Sequence, residues 1–153
     1  MSEPASLADA LNSTLAGEYA AIYGYGLVAA QLVGTTKRQA QSAIDSHRVR
    51  RDQMRASITA TGQSPPIPAA AYDSSTPVTT PAQASDLAAA IESGLAGSYA
   101  QLAALSADGE RRTAALAAQE SAVRAASWST TTQAFPGSVD GPLANAVTNP
   151  TGG

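Results

Sequence analysis

The stretch that decides the fold is Leu15-Ala16-Gly17-Glu18-Tyr19-Ala20, which returns later in the chain in an altered form. The second copy reads Leu95-Ala96-Gly97-Ser98-Tyr99-Ala100, and each copy lies in a long segment rich in alanine and leucine. Each segment is followed by a short polar break and by a second helical segment that carries the basic residues. Two helical hairpins are therefore predicted, and together they describe an all-α four-helix bundle.

The periodicity of the apolar residues places the four helices. The first is predicted over residues 5–33 and the second over residues 37–61, because apolar residues recur at steps of three and four. The third is predicted to begin at Ser85, a good N-cap residue, and the fourth to span residues 110–127. Several residues of the last two helices are predicted to face the interior. They are Leu87, Ile91, Leu95, Ser98, Leu102 and Leu105 on the third helix, and Leu116, Glu120 and Val123 on the fourth.

The two hairpins are joined by a proline-rich segment over residues 63–84. Extended proline-rich chain advances about 3.1 Å per residue, so this segment can span a helix of about 35 Å. It is therefore predicted to be a long crossover within one bundle. The bundle is assigned to residues 1–137 and an irregular C-terminal tail to residues 138–153, with Phe135 packed against the bundle.

Composition limits the function classes. The chain has 153 residues, a net charge of −3 and no cysteine, which excludes disulfides and thiolate metal ligands. Asp45 and Asp52 flank the basic run at residues 48–51, which argues against a nucleic-acid partner. Residues 19–36 are uncharged but contain three glycines and continue a helical pattern, so a bundle helix is predicted rather than a membrane span. Since the N-terminus shows no signal-peptide pattern, a cytoplasmic protein without a membrane partner is expected.

Three segments carry a resemblance to a known family. They are residues 15–26, the run His47-Arg48-Val49-Arg50-Arg51-Asp52, and Ala134-Phe135-Pro136-Gly137. Together they resemble an actinobacterial ferritin-like family of unknown function, over most of residues 7–137. The resemblance implies a ferritin-like four-helix bundle and implies no activity.

The ligand pattern of di-iron bundles is only partly present. That pattern takes one Glu from each of two helices and a Glu-x-x-His pair from each of the other two. Glu18 matches the ligand of the first helix, but Ser98 stands at its counterpart in the repeat. Ile44 precedes the only histidine, His47, by three residues, and the fourth helix offers Glu120 alone. A complete di-iron site is therefore not expected.

The remaining polar residues need an explanation, since an unpaired buried charge costs several kcal/mol. One interpretation is a buried polar network of Glu18, His47, Arg51 and Glu120, in which the Arg51 fork neutralises the carboxylates without any cofactor. Another is a mononuclear site in which Glu18, His47 and Glu120 bind a single Fe, Mn or Zn ion. In the third, the predicted helix register is wrong and these side chains face solvent.

Tyrosines and glycines complete the set of candidate residues. Tyr19, Tyr23, Tyr25 and Tyr99 either line a ligand cavity, as in a small-molecule binder, or belong to the core or an interface. Gly17, Gly24, Gly26, Gly94 and Gly97 indicate close helix approach, either inside the bundle or across the face of a homodimer. The sequence thus favours a non-catalytic structural or interaction protein, expected to be a homodimer. The alternative is a metal-binding protein or oxidoreductase with a reduced carboxylate/His site.

Overall fold

The computed structural model describes residues 5–72 and 77–129. These residues form four α-helices and no strand, which confirms the predicted all-α four-helix bundle. The helices are α1 (Leu7–Ala30), α2 (Gly34–Ala60), α3 (Pro81–Leu105) and α4 (Asp108–Trp128). The predicted tail over residues 138–153 and the predicted packing of Phe135 lie outside the described residues.

Local chemistry sets the start of each hairpin's first helix. The Ser6 and Asp9 side chains form a reciprocal capping box at the start of α1. The Thr80 hydroxyl accepts a hydrogen bond from the backbone N–H of Gln83 at 3.2 Å, and Pro81 occupies the first position of α3. The predicted start of α3 at Ser85 is therefore wrong: Ser85 lies within the helix, and its hydroxyl donates to the Pro81 carbonyl.

The helices are arranged around a close contact between α1 and α3. They run antiparallel, with Gly17 beside Leu95 and Gly24 beside Ile91, so these two glycines allow close approach inside the bundle. By contrast, a Cβ atom added at Gly26, Gly94 or Gly97 would have no neighbour within 4 Å among the described atoms. Each hairpin packs on itself, but no Cα atom of α2 lies within 8 Å of one in α4. The bundle is thus closed along α1 and α3 and opens between α2 and α4.

The core consists of two apolar clusters with polar residues between them. One cluster includes Leu15, Ile58 and Leu102, and the other includes Val28, Leu32 and Trp128. Along α2, α3 and α4, the positions between the clusters are held by polar side chains such as His47, Glu92 and Ser121, each fully buried. Because every helix contributes to both clusters, the bundle fixes these polar groups in one layer.

Two tyrosines of α1 hold the proline-rich crossover. The Tyr19 hydroxyl donates to the Pro66 carbonyl at 3.2 Å and accepts from Arg55 at 2.7 Å. The Tyr23 ring packs on Tyr72 with ring centroids 5.3 Å apart. Tyr19 and Tyr23 therefore contact the connecting segment instead of lining a shared cavity with the other tyrosines.

The predicted inward faces of α3 and α4 are partly wrong. Leu116 and Val123 are 52% and 63% exposed, and Ser98 is half-buried. Apart from Trp128 at its end, the interior positions of α4 are small side chains instead: Ala114, Ala117, Ser121 and Ala125. These small side chains let α4 pack closely on α3, so the larger aliphatic residues lie outside.

Candidate functional site

Two buried carboxylates and one imidazole form the centre of the bundle. Glu18 on α1, His47 on α2 and Glu92 on α3 are each 0% exposed. The His47 Nδ1 atom lies 2.8 Å from Glu18 Oε2, and its Nε2 atom lies 3.1 Å from Glu92 Oε1. The imidazole ring thus bridges two acids that come from different hairpins. These residues, with Tyr25, Tyr99 and Arg124, are called the buried centre below.

The two tyrosines of the buried centre are related by an approximate twofold pattern. Tyr99 of α3 donates to Glu18 Oε1 at 2.6 Å, and Tyr25 of α1 donates to Glu92 Oε1 at 2.8 Å. In each helix the tyrosine follows the glutamate by two turns and shares its face. Because α1 and α3 are antiparallel, each tyrosine reaches the acid of the other helix. Burial, followed by the nearby carboxylate charge, raises the pKa of both phenols, which remain hydrogen-bond donors.

Electrostatics favour a protonated His47. Burial alone would lower the pKa of His47, but its hydrogen bonds to Glu18 and Glu92 and their charges outweigh burial and raise that pKa above 6.5. Only the imidazolium can donate from both ring nitrogens at once. Burial would likewise raise the pKa of Glu92, but His47, Arg124 and Tyr25 together hold it below 4.5. Each ring nitrogen faces a carboxylate oxygen, an arrangement that suits the imidazolium form of His47.

Arg124 on α4 supplies the second cation. Its Nε atom lies 2.9 Å from Glu92 Oε1, and its side chain is 23% exposed. This distance makes the contact an ion pair, but the Nε–H group is not oriented to form a hydrogen bond with the carboxylate. Glu18 and Glu92 are thus balanced by His47 and Arg124, so the buried centre has no net charge. Such compensation is what allows ionised groups to stay inside a protein.

A second ion pair spans the opening between α2 and α4. Arg50 is 7% exposed, and it donates to the Ser121 hydroxyl at 3.0 Å and to the Glu120 carboxylate. Its guanidinium also lies over the Tyr99 ring, 5.3 Å from the ring centroid. Long side chains therefore connect two helices whose backbones do not approach each other.

The predicted interior position of Arg51 is wrong. Its guanidinium pairs with the adjacent Asp52 at 2.9 Å, and its side chain is 30% exposed. Arg50 is the arginine that faces inward. Between His47 and Met54, residues 50 and 51 lie on either side of the apolar stripe, about 100° apart on a helix with 3.6 residues per turn. Only the position of α4 decides which of the two is buried.

The structure brings together two of the three predicted metal ligands, Glu18 and His47, but not Glu120. The Glu120 side chain is 64% exposed and lies on Arg50, away from the Glu18–His47 pair. Over residues 5–72 and 77–129, no three His, Asp or Glu side chains are arranged to hold a metal ion. The two nitrogens of the His47 ring point away from each other, and each meets a different carboxylate. Arg124 stands against Glu92, so these residues do not fit a two-metal centre in this arrangement.

Sequence reasoning missed Glu92 and Arg124. The repeat of Leu-Ala-Gly aligns Glu18 with Ser98, whose hydroxyl instead donates to the Gly94 carbonyl of its own helix at 3.2 Å. The sequence does contain a pattern that points to Glu92, because Glu92 and Tyr99 have the same spacing as Glu18 and Tyr25. That pair of spacings identifies the facing residues of the two antiparallel helices.

Fold and site define an all-α four-helix bundle with a buried, charge-balanced polar centre. The chain belongs to the family described as a domain of unknown function, DUF4439, which matches residues 10–140. It is also similar to the crystal structure of a conserved hypothetical protein, Rv2844, from Mycobacterium tuberculosis. That similarity has a TM-score of 0.77 and 34% sequence identity, and it covers 83% of this chain and 97% of the other.

A comparison with curated proteins finds no match. None of the helices in the described part of the chain has the length and apolar character needed to cross a membrane.

Proposed function

We propose that this protein is a ferritin-like, non-catalytic structural or interaction module, in which an ion-pair network stands where related bundles hold metal. The observation that carries the proposal is the balance of Glu18 and Glu92 by His47 and Arg124 in a buried layer. Charges balanced in this way leave little electrostatic attraction for a divalent ion.

The positions of the network support the ferritin-like assignment. Bundles with two metals use one Glu on each of two helices and residues at i and i+3 on the other two. Glu18 and Glu92 supply the two single acids, from α1 and α3. The i, i+3 pairs correspond to Ile44 with His47 on α2, and to Ser121 with Arg124 on α4. Three of the six ligand groups are thus replaced, one of them by a cation.

The network also supports a structural role for this layer. Removing one partner of a buried ion pair typically costs about 3–5 kcal/mol, because the remaining charge is left unpaired. The His47 ring contacts acids from both hairpins, so it selects the relative position of the hairpins. A rigid bundle of this kind presents constant outer surfaces, as an interaction module requires.

The partner and the location of the protein are part of the same proposal. We infer a cytoplasmic homodimer without a nucleic-acid partner, in an actinobacterial family. Support comes from the mycobacterial relative and from the open glycines Gly94 and Gly97 of α3, where a second copy can approach closely. Light scattering at several protein concentrations tests the dimer, and a monomer at every concentration contradicts it.

Elemental analysis of protein purified without chelator tests the main proposal. We expect Fe, Mn and Zn far below one ion per chain, and no change in that content in Glu18→Ala. The second candidate is a metal-binding protein or oxidoreductase with a single Fe, Mn or Zn ion, and the buried, unpartnered Glu92 Oε2 atom favours it. Near-stoichiometric metal that is lost in Glu18→Ala but kept in the surface control Asp45→Ala would establish that candidate and overturn ours.

A further inference from the structure

A cleft lies at the end of the bundle where α1 and α4 begin and α2 and α3 end. Its volume is about 740 Å³. It is lined among others by Leu11 of α1, Met54 and Ser57 of α2, Leu102 of α3 and Ala114 of α4. This end cleft is bordered by both α2 and α4, whose Cα atoms stay more than 8 Å apart, and it shares no lining residue with the buried centre.

The walls of the end cleft are chemically apolar. Leu11, Met54, Leu102 and Ala114 are each less than 9% exposed and belong to one core cluster. Hydroxyl groups are present, but most are turned to the backbone of their own helices. Thr61 donates to the Ile58 carbonyl, Ser106 to Leu102 and Thr113 to Gly109. A ligand in the end cleft therefore meets mostly methyl and methylene groups.

The charge around the end cleft disfavours an anion. Glu110 is the only charged side chain among the described residues that line it. The N-terminal end of α4 would attract negative charge, but Asp108 and Glu110 in its first turn already offset that attraction. The C-terminal end of α2 adds partial negative charge at the same end of the bundle. At the C-terminal end of α3, Arg111 donates to the Ser106 carbonyl at 2.9 Å and offsets the partial negative charge there.

We propose that the end cleft binds an uncharged, largely apolar small molecule. Its volume lies within the range of roughly 300–1,000 Å³ that is common for small-molecule sites. The apolar floor provides the binding free energy, and Glu110 at the lining selects against negatively charged molecules. This proposal is independent of the role of the buried centre.

Two fluorescent probes with nearly the same aromatic body test the proposal. N-phenyl-1-naphthylamine is neutral, and 8-anilino-1-naphthalenesulfonate adds a sulfonate. We expect saturable binding of one neutral probe per chain, and a dissociation constant about tenfold or more higher for the sulfonate, since a tenfold change corresponds to about 1.4 kcal/mol. Non-saturable binding of the neutral probe, or equal affinity for both probes, would overturn the proposal.

Matched variants on α2 locate the binding site. Ser57→Phe and Ala60→Phe place a ring in the end cleft, so each should abolish binding of the neutral probe. Gln53→Phe is the control, because Gln53 is exposed on the same helix and does not line the cleft. Ala60 is exposed, so the Ala60→Phe variant should keep the wild-type melting temperature, which separates blocked binding from unfolding.

A variant on α4 tests the charge selection. Glu110→Gln should tighten binding of the sulfonate and leave binding of the neutral probe unchanged. Unaltered neutral-probe binding in both filled variants would refute the assignment to this cleft.

Discussion

The Tyr99 hydroxyl donates to Glu18 across 2.6 Å, joining residues that lie 81 positions apart in the chain. The Tyr25 hydroxyl makes the corresponding bond to Glu92 at 2.8 Å. Together these bonds connect the first helices of the two hairpins in the layer that also holds His47. The Tyr99 hydroxyl is the donor to Glu18 Oε1, whereas Glu92 Oε1 accepts from His47 Nε2 at 3.1 Å as well as from Tyr25.

Replacing Tyr99 by Phe should therefore destabilise the fold. The change removes one hydroxyl and leaves a buried carboxylate oxygen of Glu18 without that donor. We expect a loss of about 1–3 kcal/mol in the free energy of unfolding. Tyr25→Phe should cost less, about 0.5–1.5 kcal/mol, because Glu92 Oε1 keeps His47 Nε2 as a donor. Urea denaturation measures it, with the half-exposed Tyr23 as control: Tyr23→Phe should change the value by about 0.5 kcal/mol or less. Equal effects at Tyr99 and Tyr23 would show that the buried bond contributes nothing.

The stability should depend on pH through His47, the single histidine of the chain. Its pKa is raised in the folded state, so its contribution is fully present below the unfolded value of about 6.5. That contribution is lost as the pH rises from there through the folded pKa. The pKa of Glu92 is lowered, so its contribution is present above 4.5 and is lost as the pH falls through the folded pKa.

Melting curves between pH 5 and pH 9 check this behaviour. Wild type should lose stability as the pH rises above about 6.5, and His47→Gln should be less stable at pH 6 but lack that decline. The groups facing the His47 ring are Glu18 and Glu92, with Tyr25 and Arg124 close to Glu92. If both proteins show the same decline, His47 is not the titrating group.

Arg124 and Arg51 should respond differently to the same substitution. Arg124→Met leaves the buried Glu92 without one of its cations, and a loss of about 2–3 kcal/mol is expected because the arginine is partly solvated. Arg51→Met removes a surface pair with Asp52 and should change the free energy of unfolding by about 0.5 kcal/mol or less. Guanidinium denaturation of the two variants in parallel separates them. A larger loss for Arg51→Met would restore the interpretation from sequence alone.

Changing Gly26 or Gly24 of α1 to alanine should have different effects on the stability of the protein. A Cβ atom at Gly26 meets nothing within 4 Å, so Gly26→Ala should stabilise the helix by up to about 1 kcal/mol. At Gly24 the added Cβ would lie 2.6 Å from Ile91 Cδ1, so Gly24→Ala should gain less or lose stability. Ile91→Val removes that methyl group, and the double variant should recover part of the difference. Thermal melts measure all four proteins, and non-additivity between positions 24 and 91 is the expected signature.

Local patterns predicted most of the fold. Steps of three and four between apolar residues, the break near Gly34 and the proline-rich segment gave four helices with one long crossover. Two of the residues of the buried centre, Glu18 and His47, were also predicted, because a charged residue on an apolar stripe requires a partner. The helix boundaries shifted by a few residues, as at Thr80, where a cap and Pro81 start α3 before its apolar period begins.

Local patterns could not choose between neighbouring positions on a helix. On α2, Arg50 and Arg51 lie equally close to the apolar stripe, so the pattern does not show which one is buried. On α4, the pattern allows either Leu116 or a small residue such as Ala117 to face the interior. Each choice depends on which side the next helix packs. The sequence repeat matches Glu18 of the first hairpin with Ser98 of the second. In the folded bundle the residue equivalent to Glu18 is Glu92, since each of these acids accepts from the tyrosine of the other helix.

The amino-acid sequence by itself determined four amphipathic helices and their order, since these follow from the periodicity of the apolar residues. It also determined that Glu18 needs a buried partner, since burying an unpaired charge is costly. Only the tertiary structure decided that the partners are His47 and Tyr99, with Arg124 balancing a second acid at Glu92. The physical reason is that residues far apart in the chain meet at distances near 3 Å only after helix rotation and register are set by packing, which no single helix encodes.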